Sequence, residues 1–422
     1  MMQEADYSPS ARQKHLRMVE AHVLQALGPA PDRVGKGWRF RYRSFMNDNH
    51  CPVELGYAFP SSLPVVRLSL EPVALPVMGA SQAKANIQAA ERLCQQLERA
   101  GLGHFARVRQ LATHFICEDE VGPCVQPSQV FVAFDLLRSG DITTKVYFMP
   151  HVRAATTNKT ALRIIEDAIR ATEGQQHAWR LICDYLQDRS RLTREPDPVI
   201  LSTDCVDTSK ARLKIYFRFR TSRKQDMISA MSLGGRIGFD WEGPIRQVCD
   251  AVLGREQEDI DPLKTCEDLT GGFLVYYNFC SASNAPSSKI YIPVRLWGQS
   301  DAVVTAGVTT LLGSYEHLDG ESGPIDSINP ESSFPYEDTI AKILPDHVQH
   351  DKRGLQNYVC LARKDSGRIE LSTYLNPLPP ELDCLKRPGL MMRPCSFKSP
   401  TENRSVPRIA QSSTIRKCEG CN

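Results

Sequence analysis

The stretch from Ala211 to Phe219 constrains the fold more than any other part of this chain. A β-strand sends successive side chains to opposite faces, so Arg212, Lys214 and Tyr216 share one face while Leu213, Ile215 and Phe217 share the other. A strand with one face in water ordinarily carries polar residues of mixed sign there. Here that face carries two cations followed by a phenol. The pattern returns in Lys145-Val-Tyr147-Phe-Met-Pro150 and again in Lys289-Ile-Tyr291-Ile-Pro293.

The flanks repeat too. Asp135 precedes Lys145 by ten residues and Asp204 precedes Lys214 by ten, each closing an apolar run (Val130 to Phe134, Val199 to Leu201) ahead of a polar turn. These spacings predict hairpins of one construction. Weaker copies run from Gly272 to Cys280 into Lys289-Ile-Tyr291, and from Asn357 to Arg363 into Glu370 to Pro377. An earlier strand-rich region comprises Trp38 to Met46, Val53 to Phe59 and Val65 to Pro72, with Arg67 in its last strand.

Between the hairpins the apolar period changes to that of helices, at Tyr7 to Leu27, Ala83 to Leu102, Ala161 to Ala171, His177 to Leu192, Lys224 to Leu233, Pro244 to Leu253, Ala302 to Leu312 and Tyr336 to Leu344. Antiparallel hairpins cannot cover both of their own faces. The expected architecture is therefore α+β, an αββα-repeat barrel of about ten antiparallel strands around a central chamber, with an outer ring of helices on the greasy face. Residues 1–400 form this single barrel; after Pro377 the chain is rich in Pro, Ser and Arg and loses periodicity, and 401–422 read as a disordered tail.

Several functions are disfavoured by composition. With 51 basic against 49 acidic residues the net charge is only +2, so a cationic site must be local and a nucleic-acid surface is not expected. No run approaches the apolar length of a membrane span, and Met-Met-Gln-Glu-Ala-Asp lacks the pattern of a secretory signal, which points to the cytoplasm. Most of the 14 cysteines, such as Cys94, Cys183, Cys249 and Cys280, stand singly as small hydrophobes; the lone pair Cys418-Glu-Gly-Cys421 is too isolated for a zinc site. Oligomeric state is not fixed by the sequence.

Arg67, Lys145, Arg212, Lys214 and Lys289 would meet in the chamber with no matching set of acids. Desolvating an unpaired cation costs several kcal/mol, so the missing partner is expected to be an anionic ligand. A diphosphate suits, because its oxygens accept bidentate arginine contacts. Tyr147, Tyr216, Tyr291 and Tyr374 stand beside these cations. Aromatic faces stabilise a carbocation without attacking it as water would, so the combination fits ionisation of an allylic diphosphate.

Five segments in order then carry a resemblance: Ser44-Phe-Met-Asn-Asp-Asn-His-Cys-Pro52-Val-Glu54, Val66-Arg67-Leu-Ser-Leu-Glu71-Pro, Phe134-Asp135 with Thr144-Lys145-Val-Tyr147, Arg212-Leu-Lys214-Ile-Tyr216, and Lys289-Ile-Tyr291-Ile-Pro293. The chain resembles the fungal aromatic prenyltransferases of the dimethylallyltryptophan synthase family over most of residues 7–400. The resemblance implies transfer of a dimethylallyl group from dimethylallyl diphosphate to an indole-containing acceptor in secondary metabolism, by metal-independent electrophilic aromatic substitution with no required cofactor. By the same resemblance Arg67, Lys145, Arg212, Lys214 and Lys289 hold the diphosphate, Tyr147, Tyr216, Tyr291 and Tyr374 shield the cation, Glu54 accepts the indole N–H, and Phe45 and Met46 lie near the acceptor. Glu54 is followed by Leu-Gly-Tyr-Ala-Phe rather than the Trp-containing stretch of tryptophan-using members, which leaves tryptophan, a cyclic dipeptide and an indole terpenoid open as acceptors.

Other classes fit less well. A magnesium-dependent prenyltransferase needs an Asp-rich helical motif, and Glu258-Asp-Ile-Asp261 runs into Pro262. A nucleotide site needs a Gly-rich loop after a strand, and Gly234-Gly235 reads as a turn. The remaining alternatives are a non-catalytic barrel that binds a phosphorylated small molecule, or a prenyltransferase with a phenolic acceptor.

Overall fold

The computed structural model describes residues 1–34, 37–60, 63–74, 82–119, 127–172, 176–188, 190–192, 194–254, 271–279, 285–316, 334–343, 352–364 and 368–378. Cys280, Glu258 to Asp261, Cys418, Cys421 and the expected tail lie outside these residues. Asp32–Val34 (β1) and Gly37–Arg39 (β2) form a separate two-stranded sheet. Ten further strands close into a barrel: β3 Val53–Phe59, β4 Val65–Leu70, β5 Val130–Leu136, β6 Ile142–Phe148, β7 Asp197–Asp204, β8 Leu213–Phe219, β9 Phe273–Phe279, β10 Ser287–Ile292, β11 Gln356–Arg363 and β12 Ile369–Leu375. Neighbours are antiparallel throughout, and closure comes from β12 pairing with β3 through Leu371↔Phe59 to Leu375↔Leu55. Closing the sheet removes both edges.

Closure brings two backbones unusually near each other at Gly56. A Cβ there would stand 2.5 Å from the Thr373 carbonyl oxygen and 3.3 Å from the Tyr374 ring, so only glycine fits without displacing β12.

The strand alternation separates two apolar clusters. Outward residues such as Leu213, Ile215, Phe217, Val146 and Ile290 join helix residues Ile164, Val248 and Val308 in the main core. Inward residues Tyr216, Leu274, Tyr291 and Cys360 form a second cluster with Tyr147, Tyr276, Tyr358 and Tyr374. The outer helices are stopped by local chemistry. Thr160 caps Ala161–Arg170 by accepting from the Arg163 N–H, and left-handed Gly254 terminates Glu242–Leu253. Cys94, Cys183 and Cys249 are free thiols.

Two expectations need correction. Trp38 to Met46 is not a barrel strand: only Gly37–Arg39 is extended, and the chain then crosses one end of the barrel as a loop. That loop exchanges ladder bonds for buried side-chain acceptors, since Tyr42 Oη (2.6 Å), Ser44 Oγ (2.6 Å) and the Phe45 N–H (3.3 Å) all donate to Glu71. The expected set of helices is also incomplete: Ala106–Phe115, which buries Val108, Leu111 and Phe115 on one face, and His151–Thr157 are among those added. No helix among the described residues is long and apolar enough to cross a membrane.

Candidate active site

From β4 to β10 every second strand contributes a cation to one inward-facing band: Arg67 on β4, Lys145 on β6, Lys214 on β8 and Lys289 on β10. Arg212 precedes β8 at the rim, and its side chain is 46% exposed. The expectation of a chamber without matching acids does not hold. Asp135 receives Arg67 Nε at 3.1 Å and also pairs with Lys145, while Asp204 receives Arg212 Nε and Lys214 Nζ, both at 2.6 Å. Glu370 stands 3.7 Å from Arg67. Asp135 and Asp204 point inward because each is the cross-strand partner of a cation, Arg67↔Asp135 and Lys145↔Asp204. As the last residues of apolar runs they read in the sequence as turn formers, which hid this role.

Five cations thus face three carboxylates, and the excess positive charge is under strain. Burial, with help from Arg212 and Lys145, pulls the Lys214 ammonium down to about 7 in spite of Asp204. Burial and the Arg67 guanidinium pull Lys289 down to about 8. Lys289 Nζ donates to Ser372 Oγ at 2.8 Å and lies 5.5 Å from the centre of the Tyr291 ring, a cation–π distance. Burial works against the Asp204 carboxyl, but Lys214 and Arg212 outweigh it and hold the group near 2. Asp135 is likewise held well below the ordinary carboxylate range, since Lys145 and Arg67 overcome its burial.

One layer further along the barrel the tyrosines form a continuous wall. Ring centres are 6.0 Å apart for Tyr147 and Tyr216, 6.0 Å for Tyr216 and Tyr291, and 5.6 Å for Tyr291 and Tyr374. Two more tyrosines complete it: Tyr276 at 5.1 Å from Tyr216, and Tyr358 at 5.9 Å from Tyr291. Neither was marked by a cation two residues earlier, because Leu274 and Gln356 stand there. The available signal was the inward alternation of β9 and β11. Phe131 stacks on Tyr147 at 4.1 Å.

Beyond the tyrosines lies Glu54 on β3, opposite Ser69 on β4. Asn357 Nδ2 donates to its Oε1 at 2.9 Å. Burial raises the Glu54 carboxyl to about 7, against the opposing pull of Asn357 and Arg295. Phe45 closes the same end, 5.4 Å from Phe131 between ring centres, and Met46 follows it on the loop, its N–H bonded to Ser44 Oγ at 3.1 Å. Arg295 lies 4.7 Å over the Tyr358 ring and bonds Asp48 at 3.0 Å; Arg218, inward on β8, is a further buried cation that the repeat reading did not single out. No cluster of three or more His, Cys, Asp or Glu that could hold a metal ion occurs among the described residues. The order along the axis is therefore a cation band, an aromatic belt and an end that holds Glu54 together with Arg295 and Arg218.

The chain is similar to known proteins over most of its length. It is 28% identical over 392 residues to 4-O-dimethylallyl-L-tyrosine synthase of Claviceps purpurea, covering 89% of this chain and 85% of the relative. It is 22% identical over 407 residues to 7-dimethylallyltryptophan synthase of Aspergillus fumigatus, covering 89% and 82% respectively. Among solved structures, NotF in complex with brevianamide F and DMSPP superposes with a TM-score of 0.72 at 21% identity, over 90% of this chain and 92% of that one. AnaPT from Neosartorya fischeri gives 0.68 at 18% identity, over 90% of each chain. The family model described as tryptophan dimethylallyltransferase matches residues 1–323, so the chain belongs to that family and is a prenyltransferase.

Proposed function

We propose that this prenyltransferase moves a dimethylallyl group from dimethylallyl diphosphate to an indole-containing acceptor without a metal ion. The axial order of the lumen carries the reading: surplus cations, then a tyrosine belt, then the half-buried carboxylate of Glu54. Arg67, Lys145, Arg212, Lys214 and Lys289 hold the diphosphate and stabilise the negative charge that grows as its C–O bond breaks, the electron pair leaving with the diphosphate. Tyr147, Tyr216, Tyr276, Tyr291, Tyr358 and Tyr374 face the allyl cation with π-electron density and keep water from it. The indole ring supplies the electron pair for the new bond while Glu54 accepts its N–H, so charge spreading to the indole nitrogen meets a carboxylate. The alkylated ring regains aromaticity by losing a proton, which the diphosphate still held by the cation band can take.

Membership of an enzyme family removes the reading as a non-catalytic barrel. The phenolic alternative is supported by the tyrosine synthase at 28% identity and by a Glu54 carboxyl raised to about 7, a group able to receive a hydrogen bond from a phenol and share its proton. A panel of L-tryptophan, L-tyrosine and a tryptophan-containing cyclic dipeptide, assayed with dimethylallyl diphosphate and product mass detection, separates these acceptors. In the same assay Glu54→Gln is expected to lower acceptor alkylation by about 2 kcal/mol or more, at least ~30-fold, with donor binding retained. Undiminished alkylation by a folded Glu54→Gln enzyme refutes the role given to Glu54.

A further inference from the structure

We infer that Asn357, brought inward by a β-bulge, is the positioning residue that orients Glu54 and sets its charge state for the acceptor. The inference rests on the proposed contact between Glu54 and the acceptor. Strand β11 pairs with β12 through Gln356↔Leu375 and Tyr358↔Tyr374, leaving Asn357 as an extra residue between consecutive partners. A bulge breaks the in–out alternation and re-aims a side chain. Gln356 accordingly faces the outer helices, with Nε2 on Thr305 Oγ1 at 2.6 Å and Oε1 taking the Tyr336 hydroxyl at 2.8 Å. Tyr358 still faces the lumen cluster.

The orientation of the Asn357 amide is fixed by its neighbours. Asn47 spends both hydrogens of its own Nδ2 on the carbonyls of Cys51 (2.8 Å) and Val53 (2.7 Å), so its Oδ1 must face Asn357. Asn357 Nδ2 then donates one hydrogen to Asn47 Oδ1 at 2.8 Å and the other to Glu54 Oε1 at 2.9 Å. Turning either amide over would set oxygen against oxygen. Asn47 also belongs to the loop carrying Phe45 and Met46, so one buried amide ties the acceptor wall to the carboxylate.

The other groups facing Glu54 are few. Arg295, paired with Asp48, is the cation; Cys51, Cys360 and Tyr374 are held neutral by burial. Asn357 precedes Arg295 among the influences that favour the ionised carboxyl. Removing its N–H therefore favours the protonated form, and the acid limb of alkylation moves to higher pH.

The test measures initial rates of acceptor alkylation by Asn357→Ala, Asn357→Asp, Glu54→Gln and the unaltered enzyme from pH 5.5 to 9.5, with dimethylallyl diphosphate and the preferred panel acceptor. Circular dichroism and binding of a thiolodiphosphate donor analogue are followed alongside. The expected result is an upward move of the acid limb by about one pH unit in Asn357→Ala and by more in Asn357→Asp, with donor binding unchanged. At pH 7 the ionised fraction of Glu54 then falls from about a half to about a tenth, a roughly 5-fold loss of rate that disappears near pH 9. Asn357→Asp is isosteric and carries the test should the alanine variant not fold. A limb left in place, or a loss equal at every pH, overturns the inference while an impaired Glu54→Gln leaves the parent reading standing; a fully active Glu54→Gln overturns both.

Discussion

Asp204→Asn isolates the balance of charge in the cation band, because the change keeps shape and removes one negative charge between Lys214 and Arg212, each 2.6 Å away. The Asp204 side chain is 4% exposed and its carboxyl lies near 2 rather than 3.8, so its ionised form contributes about 2 to 3 kcal/mol to folding at pH 7. A depressed carboxyl gives stability that is present above the unfolded value and lost as pH falls through the folded one, so the deficit of Asp204→Asn should shrink between about pH 4 and pH 2. Lys214 adds little to the deficit at pH 7, since a lysine already drawn down to about 7 sheds its proton instead of standing charged and unpaired. Donor diphosphate restores the missing negative charge at the same place. Urea unfolding of both proteins, with and without a thiolodiphosphate analogue at saturation, should show the deficit in the free enzyme and most of it recovered in the complex. An equal deficit with and without the analogue would place Asp204 in a structural ion pair remote from the donor and refute the reasoning.

Lys214→Gln leaves Asp204 paired with Arg212 but removes a charge from the donor site, so turnover of the folded enzyme should fall by about 2 to 4 kcal/mol, roughly 30- to 1000-fold; full activity would exclude Lys214 from the site. Leu213→Ala, on the outward face, should instead cost about 2 to 5 kcal/mol of folding stability with turnover per folded molecule preserved, as denaturant titration alongside kinetics would show. Alkylation should persist in excess EDTA because lumen cations supply the positive charge; loss restored only by magnesium would sink the mechanism. With Lys214 near 7 and Lys289 near 8, donor binding should raise both and take up roughly one proton at pH 8, and affinity should decline from pH 7 to pH 9. Calorimetry in buffers of different ionisation heat measures that uptake, and a value of zero contradicts it.

The barrel was legible because period-2 alternation with a cation on one face repeats at hairpin spacing, and such spacing leaves few ways to bury the opposite face. Arg67, Lys145, Lys214 and Lys289 were legible for the same reason. Asp135 and Asp204 were present in the sequence at constant distance from Lys145 and Lys214, yet their pairing is a matter of register between strands, which single-strand alternation does not reveal. Asn357 was hidden more deeply, since a bulge breaks the alternation used to sort inside from outside. The loop from Tyr42 to Asn47 resembled a strand by composition, but its partners are the side chain of Glu71 and, through the Asn47 side chain, the carbonyls of Cys51 and Val53 at the start of β3.

The joining of β12 to β3 has a kinetic side. Leu371 pairs with Phe59, residues more than three hundred positions apart, so the contact that completes the barrel has one of the longest sequence separations in the chain. Loop closure over that length slows folding, and during synthesis β3 emerges long before its second neighbour exists. Until residues near 375 leave the ribosome, β3 and then β11 present open hydrogen-bonding edges to other chains. A chain cut ahead of Ile369 would therefore lose far more than one strand: it would be an open, ligand-incompetent sheet with two adhesive borders, prone to associate with its own copies.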